Sequence, residues 1–176
     1  MNIYLIEAID ELLSTMSDKA SSKTLKYLED LNVKVLLNEA VSNYDGKEVT
    51  TKSDKTILAK NLIWTAGVKG QFPNGIDGKH VVRGNRIKTN ANLKVEGYEN
   101  IFAIGDIAAL ISKETPKGHP QVAQTAIQQG KYLGDSILNI INNKSIKPFK
   151  YKDKGSLATV GKRKAVADLG KFKFAG

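Results

Sequence analysis

Short apolar runs that end in small or acidic residues set the rhythm of the chain: Ile3-Tyr4-Leu5-Ile6 before Glu7, Val33-Lys34-Val35-Leu36, Leu62-Ile63-Trp64-Thr65-Ala66-Gly67-Val68, and Ile101-Phe102-Ala103-Ile104 before Gly105-Asp106. Each is about the length of a buried strand in a parallel sheet. Between them the period changes to that of a helix. Residues 17–31 carry Leu25, Leu28 and Leu31 at threefold spacing with Lys and Glu between, and Asn32 can end the helix. A second helix is expected from His119-Pro120 onward, because proline fits a first helical turn. Its apolar spacing runs through Leu133, Ile137, Leu138 and Ile141 to a stop at Asn142-Asn143. Asp45-Gly46 is a hairpin signal between strands at 40–44 and 47–51, and Ser53-Asp54-Lys55 turns the chain into a third strand at 56–59. Residues 69–85, with Pro73, Asn74-Gly75 and Asp77-Gly78, read as a crossing between domains. Ile107 to Ile111 is a short apolar segment, and Phe149-Lys150-Tyr151 and the stretch from Leu157 to Asp168 read as strands joined by glycine turns. The pattern is that of an α/β protein with a β-rich tail.

Composition narrows the chemistry. A chain of 176 residues holds one ordinary domain or two small ones, and 41% hydrophobic residues suffice for a core. With no cysteine, a disulfide framework, a cysteine-ligated metal and a redox cysteine pair are excluded from this stretch. His80 and His119 are the two histidines, so no metal site is expected. Lys and Arg outnumber Asp and Glu by 27 to 18, a net charge of +9 that favours anionic partners: nucleic acid, dinucleotide phosphates or an acidic membrane surface. The lysines are scattered and the aromatics form no interleaved stripe, so nucleic acid is not expected as a partner. No apolar run approaches the roughly 18 residues of a membrane span, and no secretory signal pattern opens the chain. A cytoplasmic location is expected.

Four places carry candidate chemistry. Asp106 follows the Ile101–Ile104 run, where open α/β sheets bind ligands beyond the carboxyl ends of their strands; its carboxylate can accept hydrogen bonds from sugar hydroxyls. Gly105 lets the backbone turn sharply there. On the residues alone, Asp106 serves equally as a helix cap. Glu7 ends the first run in the same way, yet no G-x-G-x-x-G occurs, and a solvated strand end is the plainer reading. Ala66 and Gly67 are small enough for the backbone to approach a nucleotide or a neighbouring domain. Gln124 and Gln128, four apart, share one helical face; such amides donate and accept, and a helix N-terminus suits the negative charge of a reduced flavin. On an arbitrary helix the same pair is ordinary surface.

The stretch from Arg86-Ile87-Lys88-Thr89-Asn90 to Asn100-Ile101-Phe102-Ala103-Ile104-Gly105-Asp106 resembles the second FAD motif of flavoproteins with two dinucleotide-binding domains. Ala123-Gln124-Thr125-Ala126-Ile127-Gln128 reproduces the A-Q-x-x-x-Q motif of type II NADH dehydrogenases, the single-subunit NADH:quinone oxidoreductases. Leu5-Ile6-Glu7-Ala8 followed by Leu12-Leu13 is similar to the second strand of that family's NADH domain. Trp64-Thr65-Ala66-Gly67-Val68 resembles its W-[TA]-A-G-[VT] stretch, and Gly155-Ser156-Leu157-Ala158 through Ala165-Val166 its G-S-L-A-x-x-G-x-x-x-A-V pattern.

The resemblance implies partial Rossmann-like FAD/NAD(P)-binding domains with a three-stranded antiparallel crossover, and the start of a small C-terminal β-containing domain. Residues 1–68 would belong to the NADH domain, 69–85 to the crossing, 86–143 to the FAD domain and 144–176 to the C-terminal domain. It assigns Asp106, with Gly105, to the ribityl chain of FAD, and Glu7 to the ribose of NADH. Thr65, Ala66 and Gly67 would be backbone contacts on the nicotinamide side, with Trp64 as packing. Gln121, Val122 and Ala123 would lie at the flavin, and Gln124 and Gln128 at the quinone. No catalytic acid or base is assigned. The implied activity is transfer of hydride from NADH to FAD and of electrons to quinone, by an enzyme peripheral to the cytoplasmic membrane. The alternatives are another FAD/NAD(P)H-dependent reductase and a non-catalytic basic interaction module. A domain that opens at its second strand points to a C-terminal fragment whose open edges favour self-association. The 176 residues alone are therefore expected to bind FAD weakly or not at all and to show no turnover; a purified yellow sample that oxidises NADH would contradict this.

Overall fold

Ile3–Ile6 (β1) and Val33–Leu36 (β2) pair in parallel, Ile3 opposite Val33 and Ile6 opposite Leu36, with the helix Asp18–Asp30 (α1) as their crossover. These strands belong to a computed structural model that describes residues 2–176. The helix ends where its local chemistry dictates. Ser17 is an extended N-cap, Leu31 the C-cap, and Asn32 follows at φ 58°, a conformation asparagine tolerates better than most residues. Ala20 and Thr24 form its buried floor, Leu25 and Leu28 are half-buried, and Leu31 is exposed. Ile3 and Tyr4 are exposed too. The first apolar run is thus a strand but not a buried one, because it has a single paired neighbour.

Val41–Tyr44 (β3), Glu48–Thr51 (β4) and Thr56–Leu58 (β5) form the expected antiparallel meander. Asp45 fixes the first turn, its Oδ1 accepting from the Lys47 and Glu48 N–H groups at 2.8 Å each, with Gly46 at φ 94°. Below the second turn the buried Glu39 carboxylate accepts from the Ser53 hydroxyl, at 2.9 and 2.7 Å, and pairs with Lys55. Residues 62–68, expected as a buried strand, have no regular secondary structure and join no ladder among the described residues. Ile63 is 85% exposed and Trp64 62%. An apolar run becomes a buried strand only when partners flank it, and none does here.

The boundary between two compact units falls within that run: Met1–Thr65 with Lys154–Gly176 form one, Ala66–Asp153 the other. In the second unit Val81–Val82 (β6) pairs antiparallel with Arg86–Thr89 (β7), which pairs in parallel with Ala108–Leu110 (β8). Residues 69–85 are built into this unit. The Gly70 N–H donates to the Gly84 carbonyl at 2.8 Å, the Tyr98 hydroxyl donates to the Gly75 carbonyl, and Phe72 and Ile76 pack on the core of Ile87, Val95, Ala103 and Ala108. The run 101–104 is not the regular parallel strand its composition suggests. It is extended and bonded on one side to 93–95, with one bridge between Lys94 and Phe102, while Ile101 and Ile104 stay exposed. The regular strand, β8, begins beyond Asp106.

Ala123–Ile141 (α2) starts three residues after Pro120, with Val122 as an extended N-cap. Proline therefore lies outside the first turn. The helix buries a polar stripe, Thr125, Gln129 and Ser136, and exposes Ile127, Leu138 and Ile141. That reverses the orientation expected from its apolar spacing. Residues 149–151 form no strand; the Phe149 N–H donates to the Ala91 carbonyl, and the side chain closes a small core with Leu93 and Leu110.

Ser156–Val160 (β9), Lys164–Leu169 (β10) and Phe172–Ala175 (β11) make an antiparallel sheet with β10 central, and this sheet belongs to the first unit. The Asp168 carboxylate ties it to α1 by accepting from the Ser17 N–H at 2.6 Å and the Ser17 hydroxyl at 2.8 Å. Burial pushes the Asp168 carboxyl up, but Ser17 and Lys173 outweigh it and hold the carboxyl below its ordinary value.

Hydrogen bonds from Lys55, Ser53 and Thr51 lower the Glu39 carboxyl from 4.5 to about 2. A folded-state value below the unfolded one stabilises above the unfolded value and loses that contribution as pH falls through the folded one. Stability should therefore decline between pH 4.5 and about 2, and Glu39→Gln should flatten that decline while lowering stability at pH 7. Urea unfolding followed by far-ultraviolet circular dichroism across this range checks both.

Candidate functional site

The Gly105–Ile107 segment is a single 3-10 turn entered from the extended run before it. Gly105 has φ 71°, and a Cβ there would meet Ala126 Cβ at 3.5 Å. Conformation rather than space therefore requires glycine. Side chains hold the backbone of the turn at successive points. The Gly105 N–H donates to Gln129 Oε1 at 2.7 Å, Gln121 Nε2 donates to the Asp106 carbonyl at 3.0 Å, and Arg86 donates to the Ala108 carbonyl through Nε, at 3.1 Å, and Nη2. Between these anchors the Asp106 residue is exposed. Its carboxylate can accept from hydroxyl groups of a ligand.

Arg86 reaches further. Its Nη1 donates to the Lys117 carbonyl at 3.2 Å and its Nη2 to the His119 carbonyl at 2.9 Å. The residue is only 8% exposed, and a buried charge is tolerable where hydrogen bonds replace water. Burial lowers the guanidinium's pKa and the Asp106 charge pushes it back up, but arginine stays protonated throughout. A Cβ on Gly118, at φ 75°, would lie 3.4 Å from both terminal guanidinium nitrogens, so the loop closes on Arg86 through a glycine. Burial, then the Arg86 charge, lowers the pKa of His119 and keeps the imidazole neutral at pH 7. Its ring packs on Phe149 and Tyr151, with centroids 5.7 and 5.1 Å away.

The other candidate residues fall as follows. Glu7 stands at the carboxyl end of β1, its N–H on the Leu36 carbonyl and its carboxylate near the Ile9 N–H at 3.4 Å. Ala66 and Gly67 are exposed, Gly67 at φ 87°. Gln121 and Val122 precede α2 and Ala123 is its first residue. Gln124 lies in the first helical turn. Gln128 pairs with one backbone unit, accepting the Lys152 N–H and donating to the Lys152 carbonyl, both at 2.9 Å. Residues 128 and 129 point about 100° apart around a helix. The Asp106 turn is thus joined to Gln121 and Gln129, while Gln128 serves the segment at 152. Sequence reasoning missed Arg86 and Gln129. The polar recurrence of Thr125, Gln129 and Ser136 was the available signal for Gln129; Arg86 opens the stretch that resembles the FAD motif, but nothing in its local pattern distinguishes it from an ordinary exposed arginine.

A parallel strand pair joined by a helical crossover, with an acid just beyond the carboxyl end of its first strand, is the pattern of a dinucleotide-binding type of α/β protein. The chain belongs to the pyridine nucleotide-disulphide oxidoreductase family, whose sequence profile matches residues 1–130. It is 33% identical to the type II NADH:quinone oxidoreductase NdhA of Mycobacterium tuberculosis over 99% of the chain and 38% of that protein. It is also 33% identical to a type II NADH:quinone oxidoreductase of Staphylococcus aureus over 94% of the chain and 42% of that protein. The chain thus spans about 40% of the length of the curated relatives it matches. Among solved structures, NDH2 from Plasmodium falciparum in complex with NADH superimposes with a TM-score of 0.84 at 22% identity, over the whole chain and 51% of the other. A NAD-dependent persulfide reductase from A. fulgidus gives 0.74 at 18% identity, over 95% of the chain and 31% of the other.

Arg86→Met should strand the carbonyls of Ala108, Lys117 and His119 and cost about 2–4 kcal/mol. Arg86→Lys should recover only part, because an ammonium cannot span all three. Thermal and urea unfolding of the three proteins measure the difference.

Proposed function

We propose that the chain is part of an FAD-dependent NADH:quinone oxidoreductase of the type II kind. FAD, when bound, supplies the redox chemistry, taking hydride from NADH and passing electrons to a quinone. The observation that carries the reading is the exposed Asp106 carboxylate on a glycine turn whose backbone is pinned beside the first turn of α2. The fit to a flavin is chemical. A fixed carboxylate accepts from ribityl hydroxyls, and Val122 puts no capping side chain over the N-terminus of α2, which favours negative charge.

In this reading Gln121, Val122 and Ala123 lie along the flavin, Gln124 and Gln128 face the quinone, and Glu7 takes the NADH ribose. A carboxylate there disfavours the 2′-phosphate of NADPH. Ala66 and Gly67 let the backbone approach the nicotinamide. Residues 1–68 would serve NADH, 86–143 FAD, 69–85 the crossing between them, and 144–176 the C-terminal domain. No helix among the described residues is long and apolar enough to cross a membrane, and the complete protein would meet the quinone pool from the membrane surface. The exposed Ile127, Leu138 and Ile141 favour self-association of this chain by itself.

A chimera tests the reading. This chain replaces the matching region of the Staphylococcus aureus relative, so that the remaining length is supplied. The product should be yellow, contain FAD and oxidise NADH in the presence of a quinone, and Asp106→Ala in it should release FAD without loss of helical circular dichroism. A folded chimera without flavin would overturn the assignment.

A further inference from the structure

We infer that Gln129 is a positioning residue for Asp106: its buried amide sets the glycine turn that aims the carboxylate, a role that rests on the flavin reading. Gln129 is 1% exposed, and its Oε1 accepts the Gly105 N–H at 2.7 Å. Burying an amide is unfavourable unless it is bonded, and a leucine or methionine would fill similar space with no polar cost. A glutamine there makes sense for the bond it forms.

Gly105 shows what the bond controls. With φ 71° and no Cβ, it is the pliable joint just before the acid, and a small rotation at 105 swings the Cα–Cβ direction of Asp106. The joint therefore needs an external restraint. Gln121 restrains the far side through the Asp106 carbonyl, but that bond is exposed to water, whereas the Gln129 bond is part-buried and comes from a fully buried side chain. Ala126, one turn earlier on α2, limits the approach of Gly105 from the same side. Because α2 also carries Gln124, the Gln129 bond ties the acid's turn to the helix that bears the first of the paired glutamines. Gln128 is no substitute, since its amide is bonded to Lys152.

The test has two arms. In the isotope-labelled 176-residue chain, Gln129→Leu should speed amide exchange at Gly105 and Asp106 about tenfold, roughly the worth of one hydrogen bond. Exchange in β8 and β10 should stay unchanged, and Gln129→Glu, which keeps an acceptor, should restore protection. If Gln129→Leu fails to fold, Gln129→Met takes its place. Unchanged exchange at Gly105 overturns the inference. In the chimera the readout is the FAD dissociation constant from flavin fluorescence, expected to rise about tenfold with Gln129→Leu and to recover with Gln129→Glu. If Asp106→Ala weakens FAD and Gln129→Leu does not, the positioning role is wrong. If Asp106→Ala has no effect, the flavin reading fails, and Gln129 is judged by exchange alone.

Discussion

A buried guanidinium organises the second unit. Arg86 leaves β7 and collects the carbonyls of Ala108, Lys117 and His119, so one side chain bonds β8 and both ends of the Gly118 turn. The Lys117 and His119 carbonyls lie outside the short parallel ladder between β7 and β8. Without the arginine, burying them would carry the full penalty of unsatisfied acceptors. The same contacts fix where the chain emerges at Pro120, and hence where Gln121 stands against the Asp106 carbonyl and where α2 begins. Strand, acid turn and helix are held in register by one buried side chain.

Local chemistry was legible in the sequence; partnership was not. The end of α1 follows from Asn32, and the meander from Asp45-Gly46 and Ser53-Asp54-Lys55, because a few adjacent residues decide a turn; Ser17 stands at the start of α1 with its hydroxyl on Asp168 and not on the helix. The runs at 62–68 and 101–104 have strand composition, but a ladder needs a neighbour at the right height, and that neighbour is not encoded in the run. The helix α2 shows the same limit in another form. Its apolar period was real, yet Ile137, Leu138 and Ile141 lie exposed and Leu133 half-buried, while the buried Gln129 meets the Gly105 N–H. A strand end is a position that sequence can locate, and Glu7 stands at one; Asp106 instead sits in a 3-10 turn after a run with a single bridge and before β8. Gln129 was missed because its importance lies in Gly105, more than twenty residues away.

The two units divide the chain differently from its order. The β9–β11 sheet closes on α1 through Asp168 and Ser17, so the last strands complete the unit that the first strand opens. The intervening residues 66–153 form a unit with its own small cores around Ile87 and Leu93. Nucleotide-binding α/β proteins favour such interleaving, because a domain built of separated segments can carry an inserted one without loss of its own ladder.

The double bond between Gln128 and Lys152 has a consequence for recognition. A backbone N–H can meet only the amide oxygen of a glutamine, and a backbone carbonyl only its nitrogen, so the orientation of this amide is dictated rather than free. The oxygen is engaged, and one hydrogen of the nitrogen is spent. What remains is one N–H and the second lone pair of the oxygen, so the amide still offers both a donor and an acceptor, each held in a set direction.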